Sequence, residues 1–122
     1  MSRDPKKLHA FQLADSLVID IYNATRHFPA AERYGLQAQL RRAAVSTPAN
    51  IVEGSARRTS REYVQFLNIA VGSACEVRYL ASLAHRLGYM QADEAAAIGL
   101  RSTAVVKTLM ALVRALEPGT RT

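Results

Sequence analysis

Residues 59–88 read TSREYVQFLNIAVGSACEVRYLASLAHRLG, and this stretch decides the fold class. It opens on Thr59 and Glu62, a T-x-x-E pair in which the threonine side chain can cap the first free backbone N–H groups of a helix. Tyr63, Phe66, Ala70, Ala74, Val77, Ala81 and Ala84 then recur at helical spacing and share one face. Gly88 stops the pattern. Nothing inside it breaks a helix except Gly72, which lies beside Ser73 and Ala74, where small side chains would let a neighbouring helix come close. The spacing therefore predicts one long amphipathic helix over about residues 60–87, with no alternation that would support a strand.

The same reading extends in both directions. Upstream, Phe11, Ala14, Val18, Ile21, Tyr22 and Thr25 form a stripe, predicting a helix over about residues 7–27. Pro29 closes it, because a proline disfavours helical geometry in the residue before it, Phe28. A second helix is predicted over about residues 31–54, with Gln37, Leu40, Ala44, Thr47 and Ile51 on its stripe. Gly35 is a candidate interruption near its start and Gly54 a candidate C-cap. Pro48 lies inside it and removes the hydrogen bond to the Ala44 carbonyl, so a kink is expected there.

Downstream, Asp93 and Glu94 suit the positive end of a helix spanning about residues 92–117. Its stripe is Ile98, Val105, Leu109, Leu112 and Leu116, and Pro118 and Gly119 close it. Four helices joined by short connections predict an all-α, up-down-up-down antiparallel four-helix bundle in a single domain.

Composition agrees. The chain has 122 residues, of which 21 are Ala and 13 Leu, against 6 Gly and 4 Pro, so the strongest apolar helix formers dominate. At 49% hydrophobic residues the chain can build a core without covalent staples. A lone cysteine, Cys75, excludes a disulfide framework and any multi-cysteine metal site. Flanked by small residues, Cys75 reads as a buried thiol. No uninterrupted run of about 18 apolar residues is present, so no membrane-spanning helix is expected. The N-terminus carries no signal-peptide pattern, which points to the cytoplasm.

Eight apolar residues fall off the predicted stripes: Leu13 and Ile19 on the first helix, Val64, Val71, Tyr79 and Leu83 on the third, Leu100 and Met110 on the fourth. Together they predict a second buried surface and hence self-association.

Catalytic and metal-binding chemistry is not legible. His9, His27 and His85 have no partner ligand at i+3 or i+4, and there is no phosphate-cradling glycine loop. The chemistry that stands out is charge. The net charge is +6, and 13 of the 16 basic residues are arginine. Arginine forks bind phosphate bidentately, and clustered arginines are the footprint of nucleic-acid binding. The candidate nucleic-acid-binding residues are Arg41, in the second helix, and Arg57, Arg58 and Arg61, which bracket the connection to the third. A solvated surface is the competing reading, and aromatics for base stacking are scarce near the cluster, Tyr63 being the one close by.

A polar stripe runs opposite the second helix's apolar face: Arg42, Ser46, Asn50 and Glu53. Arg42 and Glu53 are separated by roughly 16 Å of helix and cannot pair with each other. Partners from other helices or another subunit are expected, with Ser73 and Glu76 as candidates in a structural polar network.

The run Arg41-Arg42-Ala43-Ala44-Val45-Ser46-Thr47-Pro48-Ala49-Asn50-Ile51-Val52-Glu53-Gly54 resembles the signature of small bacterial four-helix-bundle proteins encoded by intervening sequences in 23S ribosomal RNA genes. Phe28-Pro29 followed by Glu32-Arg33-Tyr34-Gly35-Leu36 looks like that family's first connection. Glu62, Phe66, Leu67, Ala70, Gly72, Ser73 and Glu76 match its third helix, and Leu87-Gly88-Tyr89 the end of it. The resemblance covers about residues 8–90, and Thr47 stands where the family carries a branched apolar residue.

The resemblance implies a bundle that assembles as a ring-like homopentamer. It extends to the accessory variability protein of diversity-generating retroelements, a basic pentamer that binds a reverse transcriptase and RNA. The family has no established enzyme activity. The resulting expectation is a non-enzymatic oligomer, without cofactor, metal or small-molecule substrate, that contacts RNA or a nucleic-acid-handling partner such as a reverse transcriptase. The competing expectation is a protein–protein assembly module whose arginines serve subunit contacts.

Overall fold

The computed structural model describes residues 3–117, which form four helices and, among the described residues, no strand. They are α1 (His9–Thr25), α2 (Leu36–Ser55), α3 (Ser60–Arg86) and α4 (Ala92–Leu116). The most extensive seams join α2 to α3 and α3 to α4, and α1 closes the bundle by packing on α2 and α4. At about 1.5 Å per residue, α3 is roughly 40 Å long and forms the spine on which its neighbours lie.

The core runs the length of the bundle between the helices. Leu17, Ile21, Leu40, Ile51, Tyr63, Leu67, Val77, Ile98, Val105 and Leu109 are its largest fully buried apolar side chains. The stripes of α2 and α3 face it as the periodicity predicts, apart from half-buried Gln37 and Phe66. In α1 the buried face is turned by one residue: Ala10, Ala14, Leu17, Ile21, Ala24 and Thr25 are buried, while Phe11 and Val18 are half-buried and Tyr22 is exposed. Of the eight off-stripe residues, Val64 is buried outright and Leu13, Val71 and Leu83 pack against the core. Ile19, Tyr79, Leu100 and Met110 remain exposed.

The helix ends differ from the sequence reading for local reasons. Before α1, Pro5–Lys7 form a 3-10 turn, with Asp4 accepting the Lys6 N–H at 3.1 Å, so α1 starts at His9. Residues Ala30–Glu32 form a second 3-10 turn, and Gly35 takes a non-helical conformation (φ −106°, ψ −113°), so α2 starts at Leu36 rather than at 31. Glu32 then supplies the cap, accepting the Leu36 N–H at 2.9 Å. Its other carboxylate oxygen accepts the Tyr89 hydroxyl at 3.1 Å, and Tyr89 leans on Phe28 with ring centroids 5.7 Å apart. The carboxylate thereby ties the α1–α2 connection to the α3–α4 connection, and this hydrogen bond raises the Tyr89 pKa above its ordinary value.

Helix α2 continues as helix through Pro48 to Ser55. Its C-cap is Ala56, and Gly54 serves a different purpose, packing against α3. The Thr59 side chain accepts the Glu62 N–H at 3.1 Å and starts α3. Gly88, at φ +82°, takes the left-handed conformation that ends it, and the Tyr89 N–H returns to the Ala84 carbonyl at 2.9 Å. Pro118 and Gly119 lie outside the described residues.

Two further expectations change. Gly72 is exposed, with nothing within 4 Å of where a Cβ would sit, so within one chain it lies in no helix contact. Cys75 is half-buried rather than buried. By length and composition α4 also qualifies as a helix that could cross a membrane, which the search for an unbroken apolar run missed. Here it is the fourth side of the bundle, with Ile98, Ser102, Val105 and Leu109 buried and Arg101 paired to Asp20 of α1 at 3.1 Å.

Candidate nucleic-acid interface

The sequence groups Arg41 with Arg57, Arg58 and Arg61, but the structure separates them. Arg41 lies in the second turn of α2 and Arg57 just beyond its end at Ser55, so about 20 Å of helix separates them. They belong to two different surfaces.

The first surface is the α2–α3 connection. Arg57 reaches back one turn to pair with Glu53, and its guanidinium lies over the Phe66 ring, 4.8 Å from the centroid. Its Nε is buried without a hydrogen-bond partner. Arg58 and Arg61 are exposed and make no hydrogen bond or ion pair with any described residue. A fourth arginine joins them from the far end of the chain. Arg3 donates to the Arg57 carbonyl at 2.7 Å and to Ser60 Oγ at 3.2 Å, and lies over the Tyr63 ring at 5.0 Å. Burial raises the Tyr63 pKa, and the positive charge of Arg3 partly opposes that shift. Arg3 carried no sequence signal, because its partners lie 54 and 57 residues away.

The polar stripe resolves into parts. The Ser46 and Ser73 hydroxyls share a hydrogen bond of 2.9 Å across α2 and α3. Asn50 Nδ2 donates to the Ser46 carbonyl at 2.8 Å and to Ser46 Oγ at 3.0 Å. Glu76 accepts from Gln39 at 3.3 Å. Arg42 shares an open groove with Ser46, Ser73 and Glu76 but forms no ion pair there. Glu53 lies apart from all of these and takes its partner from Arg57, four residues on, instead of from another helix or subunit.

The second basic surface surrounds Arg41. Arg41 Nε donates to Thr25 Oγ1 at 2.8 Å, and its guanidinium lies 4.4 Å above the centre of the Tyr22 ring. Thr25 is itself fully buried and anchored to the Ile21 carbonyl at 2.8 Å, so Arg41 is held on a rigid support. Arg33, Tyr34 and Arg42 flank it around an open groove of about 740 Å³. Tyr34 directly follows Arg33 in the sequence, whereas Tyr22 comes from α1 and meets Arg41 only through the fold.

Among the described residues no three His, Cys, Asp or Glu side chains group as a metal site. His85 is occupied with the Met90 carbonyl at 2.9 Å. The molecule is a small basic helical bundle whose distinctive chemistry is two arginine surfaces at opposite ends of α2.

The chain belongs to the 23S rRNA-intervening sequence protein family, whose model matches residues 6–111. A solved structure with the same fold is a protein of unknown function of the S23 ribosomal protein family from Bacteroides thetaiotaomicron. It is 22% identical, with a TM-score of 0.81 over 93% of this chain and 99% of that one. No protein of curated function matches.

Proposed function

We propose that this chain is a non-enzymatic, cytoplasmic RNA-binding bundle that assembles as a homopentameric ring and holds RNA, alone or together with a reverse transcriptase, by its phosphates. The observation that carries this reading is the α2–α3 end, where Arg58 and Arg61 stand exposed without an anionic partner beside Arg3 and Arg57. Such groups bind phosphate without desolvating a buried pair, and a ring would repeat them for avidity. The reading needs no cofactor, metal or small-molecule substrate.

The test is the triple variant Arg57→Glu, Arg58→Glu, Arg61→Glu. RNA binding should fall steeply with salt in the wild type and disappear in the variant, with fold and assembly retained. Phosphates carry no sequence, so binding should be sequence-tolerant. An intact variant that still binds RNA equally well would place the surface elsewhere. Loss of assembly would favour the second reading, an assembly module whose arginines are subunit contacts. The stacking of Arg57 on Phe66 is the observation that favours that alternative, since it holds the side chain along the helix.

A further inference from the structure

We infer that the groove between α1 and the start of α2 is a binding site for unpaired RNA bases, with Tyr34 and the Arg41–Tyr22 pair as stacking platforms and Arg33 and Arg42 as phosphate contacts. The inference rests on the reading of RNA as the partner, but it names a different surface and a different chemistry.

Three features of the groove point to this ligand. The first is the aromatic lining. Tyr34 is 88% exposed, the most exposed large hydrophobic side chain among the described residues, on the short connection between the 3-10 turn at Ala30–Glu32 and α2. Left in water, a tyrosine ring offers a flat apolar face to a base. The second is Arg41. Its hydrogen bond to buried Thr25 and its position over Tyr22 fix the guanidinium plane, and a base can stack on such a plane as it does on an aromatic ring.

The third feature is charge. The groove is lined by Arg33, Arg41 and Arg42 and by no carboxylate. The Arg33 and Arg42 side chains make no hydrogen bond or ion pair with any described residue, so their guanidinium donors are free for an anion. The remaining wall is apolar or neutral, including Ala38, Val45 and Gln37. A wall of stacking faces between free arginines is complementary to a chain that alternates bases with phosphates. Duplex RNA does not fit this description, because its bases are already stacked and cannot reach the rings.

The test uses the full chain and two labelled probes, an oligoadenylate of about ten nucleotides and an RNA duplex of similar length. Tyr34→Ala should weaken binding of the single strand roughly 5- to 100-fold while leaving the duplex unaffected. Tyr34→Phe, which keeps the ring, should bind the single strand as the wild type does. Because Tyr34 is exposed, neither change should alter helix content. If Tyr34→Ala binds the single strand as tightly as wild type, the inference is overturned. If the α2–α3 triple variant then loses both probes, the phosphate surface stands without the groove. If the wild type binds neither probe at low salt, both readings fall together. A change in oligomer mass on Tyr34→Ala would overturn the inference by making the groove a contact between copies of the chain.

Discussion

Gly54 sits in tight contact with α3. A Cβ there would lie 2.8 Å from Phe66 Cβ, 2.9 Å from Tyr63 Cδ1 and 3.2 Å from the Tyr63 carbonyl oxygen. Two of these atoms are at or near the backbone, so no side-chain rotation clears the space. Gly54→Ala should therefore destabilise the fold by about 1–3 kcal/mol through overpacking, read as a lowered denaturant midpoint. Gly72→Ala is the matched control. That site is open, and replacing an exposed helical glycine should add up to about 1 kcal/mol. A midpoint unmoved by the first change would show that α2 and α3 are not in this contact. The two glycines look alike in the sequence, each beside small residues, and the sequence reading gave the packing role to Gly72. The difference lies in helical phase relative to a neighbouring helix, which no local pattern contains.

At the level of elements, the four helices were legible because their apolar spacing, capping threonine and closing glycine are all local signals. The site was legible only in part. Arg57, Arg58 and Arg61 are neighbours in sequence and remain neighbours in space. Arg41 could have been set apart from them by the length of α2 alone. Arg3 and Tyr22 could not have been placed, because their partners come from other segments, whereas Tyr34 stands next to Arg33 in the chain itself. Glu53 shows what this does to an energetic expectation. As a buried charge lacking a partner in its own helix it would have cost several kcal/mol to remove. In the structure its side chain is 55% exposed and pairs with Arg57 at i+4. Such exposed pairs are worth little. Glu53→Ala should shift stability by no more than about 0.5 kcal/mol, with assembly retained, as measured by urea unfolding and light scattering. A collapse of the fold or of the assembly would restore the buried network.

For the whole molecule, the unequal burial of the helices is the outstanding problem. In α3, nine of 27 residues are buried, whereas in α4 the number is four of 25, although α4 is apolar enough to span a membrane by composition. Leu100 is 74% exposed on it and Met110 46%, and Ile19, 60% exposed, lies next in sequence to Asp20, the partner of Arg101 across the α1–α4 seam. A bundle of this size gains nothing by leaving these side chains in water, and the remedy consistent with the proposed assembly is to cover them with another copy of the chain. The wild type should then scatter light as a particle several times 13.4 kDa. Leu100→Asp would place an unpaired carboxylate in that interface, where desolvation is unfavourable. It should reduce the particle mass, and it should lower the melting temperature only through the loss of association. Helix content should be unchanged, because Leu100 contributes little to the core of a single chain. A wild-type monomer that partitions onto lipid vesicles would assign the α4 face to a membrane surface. An undiminished particle mass for Leu100→Asp would move the subunit contact to another face of the bundle.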